Sequence, residues 1–309
     1  MRRVKKRHWL FLSLLVVLSV SCYWSLYNKY QTDIYRPHVS IIGFIDMADG
    51  IGRQSVELLD VIKNFTSVRF QSTKDEKPED LRADLRKYFH DAGSVLGDII
   101  IFEDALDIKG STVKKFMAKA KDHQIRIAYS VFESSRIPPE WAFDLNLFFD
   151  AVLVPDPYYI DVYKSSGVQI PVFCLPLGRD YERFLEQPLK KRSGKPFVFG
   201  NFGRTIERKN LKAIVTAFAQ EFGDDPNVHL KINCRKKEDL KYVRELDELI
   251  VKLNRHNIFL TYRCLSDDMY LKSLMKIDCL VNLSKGEGFS IQPREAMSLG
   301  IPVIATNNT

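Results

Sequence analysis

The stretch Ser284-Lys285-Gly286-Glu287-Gly288-Phe289-Ser290-Ile291-Gln292-Pro293-Arg294-Glu295-Ala296-Met297-Ser298-Leu299-Gly300-Ile301-Pro302-Val303-Ile304 decides how this chain is read. An apolar run, Cys279 to Asn282, precedes it, and the whole reads as strand, glycine-rich loop, helix and strand. Pro293 opens the helix, because proline is well tolerated in a first helical turn. Glu287 lies in the loop and Glu295 inside the helix. Gly286 and Gly288 let the backbone come close to a ligand. The amides of Gly288, Phe289 and Ser290 point outward at a helix N-terminus, where anions are favoured. A phosphate held there, with a carboxylate on each side to accept hydroxyl hydrogen bonds, is what a nucleotide sugar would require.

Upstream, strands and helices alternate. Val39 to Phe44 is an apolar run of buried parallel-strand character, followed by Gly50-Ile51-Gly52-Arg53 and a helix through Val56, Leu59 and Ile62. Strands are expected at 68–71, 98–102, 125–129, 151–155 and 172–175. A helix through Leu81, Leu85 and Phe89 follows a charged loop, and a basic helix spans Thr112 to His123. The alternation restarts after a hinge at Pro176 to Asp180. Strands come at 197–201, 228–232, 258–260, 279–282 and 303–305, with helices at 210–222, 240–253 and 267–275. The expected organisation is an α/β chain with two Rossmann-like, doubly wound parallel-sheet domains, residues 38–178 and 197–309, joined by a hinge and linker at 179–196. The second domain reads as incomplete at its C-terminus, since a sheet ending on Ile301 to Ala305 would leave an apolar edge uncovered.

Arg204 follows the strand 197–201, and Lys209 stands where the next helix begins. Two cations at a strand's carboxyl end, beside a helix N-terminus, can clamp a diphosphate; a solvated basic loop would look similar, and Arg208 competes for the role. Glu133 and Arg136 follow another strand's carboxyl end, where ligands collect in open α/β sheets. There Glu133 could orient an acceptor hydroxyl and Arg136 a charged group; alternatively the two pair and brace a Pro-rich loop. Gly50 and Gly52 read either as a backbone approach to the cleft or as a plain tight turn.

Glu287, Glu295 and the following Ala-Met-Ser-Leu-Gly-Ile-Pro-Val-Ile resemble the retaining glycosyltransferases of the two-Rossmann-domain (GT-B) type, specifically family 4. The resemblance implies transfer of a sugar from a nucleotide-sugar donor to a carbohydrate, lipid-linked or protein-linked acceptor. It implies that Glu287 holds the transferred sugar, that Glu295 holds the ribose, and that Gly203-Arg204 and Lys209 hold the donor diphosphate and neutralise the leaving group. Gly50 and Gly52 match the family's glycine loop facing the cleft. Metal independence and the absence of a cofactor also follow from the resemblance. One departure stands out: none of His8, His38, His90, His123, His229 and His256 falls at a strand-to-loop exit, where many relatives place a histidine. Two other functions are considered: a non-catalytic nucleotide-sugar or glycan-binding module, and a different two-domain enzyme such as a nucleotide-sugar epimerase, against which Glu287 with Arg204 and Lys209 discriminates.

Composition is that of a globular protein, with 45% hydrophobic and 28% charged residues among 309. The net charge is +7, but Arg2, Arg3, Lys5, Lys6 and Arg7 supply most of it, which argues against nucleic acid as a partner. Cys22, Cys174, Cys234, Cys264 and Cys279 show no metal-ligand spacing, so no metal site is expected.

Residues 1–8 read as a basic cytosolic tail, 9–27 as a transmembrane signal-anchor near the roughly 20 residues a helix needs to cross a bilayer, and 28–37 as a stem. A cleaved signal peptide is the rival reading. The positive-inside rule gives a single-pass, type II membrane protein facing a Golgi- or ER-like lumen, with the Asn64-Phe65-Thr66 sequon in mild support. The alternative is the cytosolic face of a bacterial inner membrane.

Overall fold

A computed structural model describes residues 38–307, apart from 47–49, 105, 107–110, 179–180, 192–193, 195, 235–239 and 264. Two parallel sheets organise them. The first has six strands in the order β2-β1-β3-β4-β5-β6, namely Val68–Ser72, Val39–Gly43, Ile99–Phe102, Ile125–Tyr129, Ala151–Val154 and Val172–Cys174. The second has five in the order β11-β10-β7-β8-β9, namely Val303–Ala305, Cys279–Asn282, Phe197–Asn201, Val228–Cys234 and Ile258–Tyr262. Every pairing in both sheets is parallel.

Strands β1, β3 and β10, beside the centre of each sheet, are largely buried on both faces, so their sequences are mostly apolar rather than alternating. All five residues of β1 and all four of β10 are buried. Helices cover both faces and close separate cores. Phe102, Phe116, Leu145, Tyr159 and Tyr163 fill one side of the first sheet; Ile41, Leu59, Phe70 and Leu85 fill the other. In the second domain, Leu211, Val215, Leu230 and Leu246 form one core and Phe184, Leu274, Leu280 and Ala296 the other.

Each sheet has one place where strand order reverses: between β1 and β3 in the first, and between β7 and β10 in the second. Loops leaving the carboxyl ends of such neighbours splay apart and open a crevice. Most of the functional residues discussed below leave from these strands and from β4, while Tyr159 follows β5 and Tyr270 follows β9.

Several expectations are corrected. The helix through Leu81, Leu85 and Phe89 is two 3-10 turns, Pro78–Asp80 and Arg86–Tyr88, and Leu81 and Leu85 are buried without a continuous helix. The basic helix is shorter, Ser111–Met117, because the chain then tightens into turns with Lys119 and Ala120 bonded three residues back. The expected glycine loop at Gly50 and Gly52 is the first turn of the helix Gly50–Ile62.

The tail, anchor and stem at 1–37 lie outside the described residues. Among the described residues, no helix is long and apolar enough to cross a membrane. The longest of them, Leu240–Leu253, has 14 residues and carries charge throughout. At 1.5 Å per residue it reaches about 21 Å, short of the ~30 Å hydrocarbon layer. The membrane-anchored reading is therefore corrected: the anchor, the membrane as a partner and the luminal or inner-membrane location form no part of the function developed below.

Candidate functional site

Between the two sheets runs a cleft of about 580 Å³. The second domain builds its floor. Strand β7 ends at Asn201, whose side-chain amide donates to Val281 O (2.7 Å) while its oxygen accepts from Gly203 N (3.0 Å). This ties the β7 exit to β10, and the chain then passes through Arg204 and the turn Glu207–Lys209. Asn210, in the left-handed region at φ 55°, redirects it into the helix Leu211–Phe222. Strand β10 ends at Asn282, whose amide donates to Ser290 Oγ (2.8 Å) and Glu287 Oε1 (3.3 Å), so the loop is bonded across its own base. Gln292 fastens the following helix, Ile291–Ser298, to Phe202 O at 2.9 Å.

The charges converge. Lys209 Nζ lies 2.5 Å from Glu287 Oε1, and Arg208 Nη1 lies 3.5 Å from Glu287 Oε2. Burial by itself would raise the Glu287 carboxyl, but Lys209 and Arg208 outweigh it and hold it below the usual carboxylate value. Burial lowers the Lys209 ammonium, and the bond to Glu287 only partly offsets this. Glu295, 1% exposed, accepts from the Tyr270 hydroxyl (2.7 Å) and from Arg53 Nη1 (3.3 Å).

The first domain closes over the top. Arg208 Nη2 reaches Glu133 Oε1 at 2.7 Å while its Nη1 donates to Gly286 O at 2.6 Å, so one guanidinium joins both domains. Glu133 is raised, chiefly by desolvation against the facing loops, even though its side chain is 44% exposed and Arg208 and Lys209 pull the other way. The Tyr159 hydroxyl donates to the carbonyl of Glu287. Gly286 and Gly288 are glycines for a steric reason: a Cβ on Gly286 would overlap the Glu133 carbonyl oxygen, and one on Gly288 would overlap the Val131 side chain. The nearest neighbour pressing on each is the first domain itself.

Arg204, Lys209, Glu287, Gly288, Phe289, Ser290, Glu295, Gly50 and Glu133 all line the cleft. Gly52 and Arg136 do not. Gly52 packs beneath, where a Cβ would strike the Asp46 backbone and the Phe44 ring. Arg136 is exposed, and Glu133 pairs with Arg208 instead of with it. At the start of the helix Ile291–Ser298, Arg294 donates to the carbonyls of Phe289 and Ser290 and stacks on the Phe289 ring at 3.8 Å. Among the described residues no group of three or more His, Cys, Asp or Glu is placed to hold a metal ion, and no histidine lines the cleft.

Sequence reasoning missed Tyr159 and Tyr270, and left Arg53 without a role. Tyr159 reaches Glu287 across 128 positions, a pairing with no local signature. Arg53 directly follows Gly52, so a charge next to the suspected glycine pair was the available signal.

Residues 183–309 match the family described as Glycosyl transferases group 1. Over 199 residues the chain is 32% identical to an alpha-1,3/1,6-mannosyltransferase of Mus musculus, covering 56% of this chain and 46% of that protein. Over 156 residues it is 30% identical to an uncharacterized glycosyltransferase of Methanocaldococcus jannaschii, covering 50% of this chain and 33% of that one. The chain thus spans less than half the length of these curated relatives. Among solved structures, a glycosyltransferase from Rickettsia africae superposes with a TM-score of 0.67 at 13% identity, covering 89% of this chain and 80% of that one. A sucrose-phosphate synthase from Thermosynechococcus elongatus gives 0.62 at 16%, covering 88% and 82%. With its two parallel sheets and the crevice between them, this chain has the GT-B fold, two Rossmann-like domains facing each other across a cleft.

Proposed function

We propose that this protein is a glycosyltransferase that moves a sugar from a nucleotide-sugar donor to a carbohydrate or lipid-linked acceptor, with retention at the anomeric carbon and without a metal, in the manner of family 4. The observation that carries the reading is the pair Lys209–Glu287 at 2.5 Å, in the same cleft as Arg204 and Glu295. A cation for the departing diphosphate stands beside a carboxylate able to accept hydroxyl hydrogen bonds. The second carboxylate, Glu295, stands nearby to take a ribose. The curated relatives, both glycosyltransferases by name, point the same way.

In this reading the bond from the anomeric carbon to the diphosphate oxygen breaks as the acceptor oxygen forms its bond on the same face. The acceptor's proton passes to the leaving diphosphate, so no enzymatic nucleophile is needed. Arg204 and Lys209 stabilise the developing negative charge, a task preorganised donors perform well inside a water-poor cleft. Glu287 orients the transferred sugar, Glu295 the ribose, and the amides at Gly288, Phe289 and Ser290 face the phosphates. Glu133 stands on the acceptor side.

The test is a donor screen by thermal shift with uridine, guanosine and adenosine diphosphate sugars, mannose donors included, followed by an assay for nucleoside diphosphate release in chelator. One donor class should raise the melting temperature and be turned over with acceptor. A protein that no donor stabilises would overturn the reading.

A further inference from the structure

Arg53 is a first-domain residue, on the helix Gly50–Ile62, yet its guanidinium reaches into the second domain. Its Nη1 lies 3.3 Å from Glu295 Oε1, and its Nη2 lies 4.0 Å from Asp267. Its side chain is 15% exposed, that of Glu295 1%. Tyr270 takes the other oxygen of Glu295. A ligand diol that seeks Glu295 must therefore take over, or share, the oxygen that Arg53 holds.

The displaced guanidinium cannot return to bulk water from that depth without cost, and Asp267, the anion that remains near it, is already paired with Arg183 at 3.3 Å, so a second anion would hold it better. A nucleoside diphosphate brings one with it, because its phosphates are attached to the ribose whose hydroxyls claim Glu295. The cations of the second domain are shared with carboxylates already in place: Lys209 also serves Glu287, and Arg208 serves Glu133 and Gly286, so a further cation adds to what holds the diphosphate. Arg53 and Arg204 line the same cleft.

We propose that Arg53 is a further donor-binding residue, supplied by the first domain, which leaves Glu295 for the diphosphate when a nucleoside diphosphate enters. The ligand class this selects is a ribose diol linked to phosphate; a nucleoside alone takes Glu295 and leaves the guanidinium stranded. The inference rests on the donor-site reading above and extends it to the opposite domain.

The experiment compares wild type, Arg53→Gln and Arg53→Lys by calorimetric titration with uridine, guanosine and adenosine diphosphates, and with the nucleoside of whichever binds tightest. Thermal unfolding establishes that each variant is folded. The expected result is a loss of about 10-fold in diphosphate affinity for Arg53→Gln, less for Arg53→Lys, with nucleoside affinity unchanged or improved. Equal weakening of both ligands would make Arg53 merely structural. Unchanged or tighter diphosphate binding would make it a competitor of the ligand rather than a partner, with Asp267 as its resting place. Either result overturns the proposal and leaves the donor site standing. Failure of wild type to bind any of the three diphosphates removes the donor site itself, and the role of Arg53 with it.

Discussion

Lys209 and Glu287 are locked together at 2.5 Å inside the cleft, both side chains largely withdrawn from solvent at 15% and 8% exposure. A buried pair of this kind contributes little compared with a matched apolar pair, but removing one partner strands the other. Lys209→Ala should cost about 3 kcal/mol of stability, moderated by Arg208, which remains at 3.5 Å. Glu287→Gln keeps the shape and should lower turnover by about 100-fold or more if the charge matters in the transition state. Unfolding in urea and steady-state kinetics check the two effects separately.

The same pair sets a pH dependence. Glu287 titrates below its ordinary value of 4.5 in the folded protein, so its contribution is fully present above that pH and fades as pH falls through the lowered value. The stability gap between wild type and Glu287→Gln should be constant from pH 5 to 7 and shrink below about pH 4. A gap that persists undiminished at about pH 3 would contradict an ionised, paired Glu287.

Glu103 predicts the opposite slope. It follows β3 and is 1% exposed, and the Ser55 hydroxyl only partly offsets the burial of its carboxyl. Desolvation raises it well above 4.5, with Glu57 adding to the effect. The folded state therefore holds a proton that the unfolded chain gives up, and stability declines as pH rises above 4.5. Glu103→Gln abolishes this titration. Its melting temperature should exceed that of wild type by about 2–4 °C at pH 8 and match it near pH 4.

Glu295→Ala and Tyr270→Phe should separate two tasks. The first deletes the carboxylate and should weaken donor affinity by about 10-fold or more; the second removes one hydrogen bond at 2.7 Å and should weaken it by several-fold. Titration calorimetry with the donor found in the screen measures both, and unchanged affinity in Glu295→Ala would count against the ribose role.

Gly286→Ala probes the contact between domains. The added methyl meets the Glu133 carbonyl oxygen, a backbone atom that cannot swing aside. The expected cost is about 1–3 kcal/mol, with a fall in turnover because Glu287 is the next residue. Gly223→Ala is a useful contrast: nothing crowds its Cβ, and its cost comes only from the backbone angle, φ 53°.

How much of this was legible in the sequence depended on the range of the signal. Buried parallel strands such as β1 and β10 announced themselves as short, mostly apolar runs, and a helix forms around Pro293, though it begins two residues before it, at Ile291. The helix Pro139–Phe148 was not anticipated, because Phe143 and Leu147 are exposed while Asp144 is buried, which blurs the amphipathic pattern. Within the cleft, Glu287, Arg204, Lys209 and the helical Glu295 stand in or beside strand-to-helix segments whose local chemistry is distinctive. Arg53 and Tyr159 act only through the other domain, and contacts such as Tyr159 to Glu287 leave no trace in local spacing. The Arg208 guanidinium went to Glu133, which no reading of the Glu133–Arg136 segment alone would have chosen.

The grip of Tyr159, Val131 and Glu133 on the loop that carries Glu287 has a mechanical consequence. Any hinge motion wide enough to admit a bulky molecule must let go of that loop and slacken the carboxylate it bears. On the proposed function, the protein would be armed only while shut, so a donor caught in the gaping form would be spared wasteful hydrolysis until the two halves came back together.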